Sequence, residues 1–235
     1  MTRDAATAGL RAFVCVPPFL FVLFFLLVPD LAVGNRSAMA NAQDAPEGSV
    51  FAMTTDNDLL IDDFASGDGI SRLGTSWRCF TDQVMGGRSR AEHSFTTIAE
   101  HHCLLLRGEI SLANNGGFIQ VALPLDSSER SSRSFDASDY DGIRLWVRGK
   151  GDGYYVHLRN EDTRLPWQYY QAPLECRDQW QLVTISFQDF RPQTLDAELD
   201  VSRLTRIAIV AAKQEFSAEI AVSQLKFYRS TATAR

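Results

Sequence analysis

Between residues 59 and 228 the sequence runs as short apolar stretches broken by turn residues, and nowhere do apolar residues recur at the 3.6-residue spacing of a helix. A chain written this way buries its apolar side chains by pairing strands and stacking the resulting sheets. The pattern therefore predicts an all-β domain, a β-sandwich or jelly roll. Strands are predicted at residues 59–61, 103–106, 118–123, 143–148, 154–159, 180–187, 206–211 and 218–228. Asn114-Asn115-Gly116-Gly117 marks a turn before the 118–123 strand, because Asn and Gly tolerate positive φ. The 15 Phe, 6 Tyr and 4 Trp agree with this reading, since aromatic side chains suit a pleated surface.

Gly149-Lys150-Gly151-Asp152-Gly153 lies between two predicted strands and reads as the loop of a hairpin. It is not a dinucleotide site, which needs a helix N-terminus after its glycines to meet the phosphates. If 143–148 and 154–159 pair as that hairpin, strand alternation places Arg144, Trp146, Arg148, Tyr155, His157 and Arg159 on one surface. Trp167 and Tyr169 alternate in the same way and extend the surface. Aromatic rings beside forked donors suit sugar rings, carboxylates or a protein hot spot. The competing reading is an ordinary solvated sheet face with arginines lying along it.

The N-terminal 40 residues differ in kind. Arg3 and Arg11 precede an apolar run over residues 12–28, and A-x-A sites follow at Ala38-Met39-Ala40 and Ala40-Asn41-Ala42. Residues 1–40 are therefore expected to be a signal peptide or membrane anchor. Residues 41–58 read as a linker, 59–228 as the domain and 229–235 as a polar tail. With the arginines held inside, the domain is expected outside the cytoplasm, periplasmic or secreted, with membrane contact only through an uncleaved N-terminal segment.

Net charge is −6 overall and +1 within the first 40 residues, leaving −7 on the remainder, which argues against nucleic acid as a partner. Cys15 falls in the leader. Cys79, Cys103 and Cys176 allow at most one disulfide and read best as small buried apolar residues. No cofactor or metal site is expected. His101-His102 point to opposite strand faces, and Asp62-Asp63 lack calcium-loop spacing and more simply cap a turn. No nucleophile or zinc-protease motif is present, although a carboxylate pair that meets only in the fold would leave no local trace.

The densest motif is Thr81-Asp82-Gln83-Val84-Met85-Gly86-Gly87-Arg88-Ser89, four residues after Trp77. Asp82 and Ser89 are suited to satisfying loop amides and the glycines to a sharp excursion, giving either a structural corner or a rim loop that touches a ligand. Three further blocks follow it in order. They are Arg107-Gly108-Glu109-Ile110-Ser111 with Asn115-Gly116-Gly117-Phe118, then Tyr140-Asp141-Gly142-Ile143 with Val147-Arg148-Gly149, and finally Trp180 with Ile185-Ser186-Phe187-Gln188-Asp189-Phe190-Arg191-Pro192. Together they resemble the complex I intermediate-associated protein family, named for a thirty-kilodalton assembly factor. Within that resemblance Trp77, Asp82, Met85, Gly86, Gly87 and Ser89 form the family motif loop. It implies a galactose-binding-like jelly roll akin to carbohydrate-binding modules, no catalytic residues, and a role in assembling a protein partner. An export leader does not suit a factor working on the matrix side. Three functions are thus open: a protein-binding assembly or chaperone-like module, an exported carbohydrate-binding module, and a hydrolase with a carboxylate pair.

Overall fold

The computed structural model describes residues 57–126 and 134–230; the segments expected to be a leader and most of a linker, residues 127–133 and the last five residues lie outside them. Among the described residues there are twelve strands, four short 3₁₀ turns and no α-helix. The strands are β1 (Leu59–Asp62), β2 (Arg78–Thr81), β3 (Arg90–Ile98), β4 (His101–Ile110), β5 (Phe118–Pro124), β6 (Gly142–Lys150), β7 (Tyr154–Asn160), β8 (Tyr169–Pro173), β9 (Gln181–Ser186), β10 (Arg191–Gln193), β11 (Leu204–Ala212) and β12 (Phe216–Tyr228). Sheet one has the order β3-β4-β12-β6-β9, with β1 also on β12, and sheet two the order β10-β8-β7-β11-β5-β2. Every named pairing is antiparallel.

The core is one cluster fed by the inward positions of both sheets. Leu104, Leu106, Ile143, Leu145, Val147 and Val222 come from sheet one, and Ile119, Val121, Val156, Leu158, Ile207 and Ile209 from sheet two; all are at most 1% exposed. Strand alternation dictates this, since each apolar residue inward leaves its neighbours outward. All eight strands expected from the sequence are present. One long element, β3, was not legible, and β4 was read only over residues 103–106. β3 and β4 form a hairpin whose turn is Ala99-Glu100, both left-handed (φ 47° and 67°) although neither residue favours that region. By contrast Asn114 and Asn115 take the left-handed φ values, 58° and 56°, that their residue types predict.

The expected hairpin of 143–148 with 154–159 does not form. β6 lies between β12 and β9 in sheet one, and β7 between β11 and β8 in sheet two. The glycine loop carries the chain from one sheet to the other. A buried Gly149, with Cys176 and the Glu219 carbonyl beside it, leads into Gly151 and Gly153 in the left-handed region (φ 81° and 87°). Tyr154 then secures the crossing by donating its hydroxyl to the carbonyls of Lys150 (2.8 Å) and Glu219 (3.2 Å).

Candidate ligand-binding cleft

The motif loop is organised around one buried carboxylate. Asp82 opens a 3₁₀ turn (Asp82–Met85) at the end of β2 and has no exposed surface. It accepts the Ser89 amide (2.9 Å), the Ser89 hydroxyl (2.5 Å), and the amides of Gly117 (2.6 Å) and Phe118 (3.4 Å). Burial pushes its carboxyl upward, but the Ser89 hydroxyl and then these amides outweigh it and hold it below the ordinary aspartate value. A Cβ on Gly87 or on Gly116 would land on this carboxylate, so both positions exclude a side chain. Gly86 closes the turn in the left-handed region (φ 88°). Trp77 is a core residue whose indole N–H donates to Asp62 at 2.8 Å. Asp62 also caps Phe64 (2.7 Å) and Asp63 pairs with Arg72 (2.8 Å), so the two adjacent acids serve the turn.

What this scaffold displays is apolar. Val84 is 72% exposed and Met85 54% exposed at the tip of the loop. Across the outer face of sheet two, residues 161–168 present Trp167, 51% exposed. That second loop is held from beneath. Arg159 donates to the Thr163 hydroxyl (3.2 Å) and to the carbonyls of Thr163 (2.6 Å) and Leu165 (2.9 Å), while the Gln168 side-chain carbonyl accepts the amides of Arg164 and Leu165, both at 3.0 Å. Between the two loops lies a cleft of about 510 Å³. Its lining comprises Phe80, Phe118, Gln120, Val210 and Ala212 from the sheet, His157 and Tyr169 on one flank, Val84, Met85 and Leu112 on the other, and Trp167 with Pro166 at the rim.

His157 and Tyr169 stack, with ring centroids 4.0 Å apart and planes 13° from parallel, and a His157 ring nitrogen lies 3.3 Å from the Gln171 side-chain oxygen. Burial pushes the His157 pKa down to about 3, so the ring is neutral and acts as a stacking surface and hydrogen-bonding group. Among the described residues the charged ones lining the cleft are Arg159, Arg206 and Lys213, with no aspartate or glutamate. A hydrolytic acid–base pair therefore has no carboxylate to use there. Cys79, Cys103 and Cys176 are free thiols, and burial pushes Cys176 up to about 12, far from a thiolate nucleophile.

The single surface expected from the sequence is divided. Tyr155, His157, Arg159, Trp167 and Tyr169 belong to the cleft side. Arg144, Trp146 and Arg148 point from the outer face of sheet one, on the opposite side of the sandwich, because β6 and β7 are in different sheets. There each is matched by a neighbour. Arg144 pairs with Asp58 at 2.7 Å, and Arg148 with Asp178 at 3.0 Å. Trp146 lies 5.3 Å from His101, which stacks on Trp180 at 4.5 Å, and the Trp180 indole donates to the Ile98 carbonyl at 3.1 Å.

The sequence pattern of the complex I intermediate-associated protein 30 family matches residues 63–222. The chain belongs to that family. None of the curated proteins compared with it matches. Among solved structures, the family 11 carbohydrate-binding module of the cellulosomal cellulase Lic26A-Cel5E from Clostridium thermocellum superposes with a TM-score of 0.59 at 12% identity, covering 77% of this chain and 99% of the module. The same organism's family 11 module in complex with a β-1,3-1,4-mixed-linked tetrasaccharide gives 0.55 at 13% identity, covering 74% and 96%. At these identities the likeness is one of fold, a carbohydrate-binding-module type of β-sandwich.

In this member of the family, the sequence blocks quoted above meet in space. Asp82 joins the first block to Gly117 and Phe118 of the second. Gly142 of the third pairs with Ser186 of the fourth, and the Phe187 amide donates to the Asp141 carbonyl at 2.9 Å. These contacts are structural, whereas the displayed side chains are Val84 and Met85. Sequence reading missed Phe80, Leu112, Phe118, Gln120, Arg206 and Lys213 as cleft residues. Only Arg206 carried a usable signal, a charge at the start of an otherwise apolar strand.

Proposed function

We propose that this family member is a non-catalytic binding module that holds a glycan in the cleft of sheet two. The observation that carries the reading is the cleft itself: about 510 Å³ between two loops, with an exposed indole, a stacked Tyr169–His157 pair, and donors from Gln120, Arg159, Arg206 and Lys213. Aromatic faces pack on the C–H face of a pyranose, while donors at the edges bind its hydroxyls. A structure of the same fold is described in complex with a mixed-linked tetrasaccharide, which supports the ligand class. Placement outside the cytoplasm belongs to the same proposal and rests on the apolar run at residues 12–28 behind Arg3 and Arg11.

Tryptophan fluorescence during titration with a panel of oligosaccharides tests it. Trp77 is in the core, and Trp146 and Trp180 are on the far face, so the responding indole should be Trp167. A saturable shift that disappears in Trp167→Ala is expected; no shift with any glycan would remove the reading.

A second reading is favoured by Val84 and Met85. Two large apolar side chains at the tip of a rigidly held turn suit a protein partner. This is the assembly-factor role that the family name implies. Co-purification of a membrane complex with the wild-type chain, lost in a Val84→Ser/Met85→Ser variant and retained in Trp167→Ala, would select it.

A further inference from the structure

We infer that the glycan held in the cleft is acidic, a chain of pyranoses carrying a uronate whose carboxylate is bound at the Arg206–Arg159 row. This rests on the glycan reading above and adds a charge to the ligand.

The first observation is a cross-strand pair that sheets ordinarily avoid. Arg206 of β11 and Arg159 of β7 are direct register partners, and both line the cleft. Like charges directly opposite one another destabilise a sheet unless an anion lies between or beside them. Burial, and then the Arg206 charge, lower the Arg159 pKa below the ordinary arginine value, which places the two cations within each other's field.

The second observation is what these cations lack. Arg159 has three hydrogen bonds, all to neutral oxygens. Among the described residues Arg206 makes no ion pair, and the Lys213 ammonium has only the Tyr155 ring, 4.9 Å away. Nearby acids are already engaged: Asp82 by Ser89 and two further amides, Glu215 by the Leu112 amide (3.1 Å), and Glu161 by Ser134 (2.8 Å) and Arg203 (3.5 Å). Arginines 72, 107, 144, 148, 203 and 229 reach a carboxylate, whereas 78, 88, 90, 164, 177 and 191, like Arg206, form no ion pair among the described residues; what sets Arg206 apart is its place opposite Arg159 in the cleft. A cationic cleft in a chain of net charge −6 is a local exception, and a planar guanidinium with no ion pair among the described residues matches a carboxylate bidentately.

The surroundings narrow the class further. The negative remainder of the surface repels a continuous polyanion, so neutral sugars with spaced uronates fit better than polyphosphate. Trp167 and the Tyr169–His157 stack supply the ring contacts that an acidic peptide would not need.

The test uses the full-length chain and matched ligands. Glucuronoxylan, alginate and galacturonan oligosaccharides are each titrated beside the same material with its carboxyl groups reduced to alcohols. The expected result is that at least one uronate ligand binds about tenfold tighter than its reduced partner, the size of one charge-assisted pair. Arg206→Gln should abolish that difference, and raising salt from about 0.05 to about 0.5 M should shrink it. Arg206→Lys, which keeps the charge but loses the guanidinium fork, serves as a second variant should Arg206→Gln fold poorly, and should shrink the difference. Equal binding of native and reduced ligands, unchanged in both variants, overturns the inference while leaving the glycan reading intact. Binding of neither overturns both. A glutamate oligomer bound as tightly as the best uronate overturns the sugar class in favour of an acidic protein segment.

Discussion

The two outer faces of the sandwich are built from the same vocabulary and have opposite characters. On sheet one, Arg144, Trp146 and Arg148 alternate along β6, and each has a partner: Asp58, the His101–Trp180 stack, and Asp178. On sheet two, Tyr155, His157 and Arg159 alternate along β7 in the same rhythm, but the acids are missing and two loops rise on either side. An arginine–aromatic face is thus not in itself a binding surface. What distinguishes the two is whether neighbouring elements supply the complementary groups. Sheet one completes its own chemistry; sheet two leaves donors and rings facing solvent.

The sharpest way to break this comparison is to collapse the rim that makes sheet two concave. Asp82→Ala leaves the amides of Ser89, Gly117 and Phe118 without their acceptor and should cost about 3 kcal/mol in urea unfolding, with the cleft lost as well. A change below about 1 kcal/mol would show that the loop does not depend on its carboxylate. Next in size, Trp146→Ala should destabilise the domain by about 2 kcal/mol, because it opens the His101–Trp180 stack, yet leave ligand affinity untouched. Its mirror image, Trp167→Ala, should leave stability unchanged while weakening binding about tenfold, or about 1.4 kcal/mol. Affinity lost in the Trp146 variant instead would move the site to the other face.

A smaller effect separates the faces by pH. The folded pKa of His157, about 3, lies below the ordinary value of 6.5, so folding favours its neutral form. Its contribution is complete above pH 6.5 and is lost as pH falls through about 3, because the unfolded chain takes up the proton first. His157→Phe should therefore flatten the fall in melting temperature between pH 7 and pH 4 by a few degrees, without altering values above pH 7. Smallest of all, Arg148→Ala, which removes a half-exposed ion pair, should change stability by about 0.5 kcal/mol or less by thermal melting.

Much of this molecule was legible beforehand. The Asn114–Gly117 turn announced itself because Asn and Gly are the residues that tolerate the backbone it needs. The alternation in β6 and β7 correctly separated Leu145 and Val156 in the core from Trp146 and Tyr155 outside. The β3–β4 hairpin stayed hidden because Ala99 and Glu100 adopt positive φ under the pull of nine paired residues rather than by preference. The role of Asp82 was half visible: Asp and Ser in a glycine-rich stretch suggest loop capping, but Gly116, 34 positions later, gave no sign of why it must lack a side chain.

The sequence by itself determined which residues of the legible strands face inward, where the Asn114–Gly117 turn falls and that the domain is all β, since these follow from periodicity and backbone preference within a few residues. Only the tertiary structure decided that Gly149 to Gly153 is a crossing between sheets and not a hairpin. It also decided that Arg159 faces Arg206, and that Val84 and Trp167 frame one cleft. Those facts depend on which strands become neighbours, and strand pairing is set by packing the whole core rather than by any stretch of the chain alone.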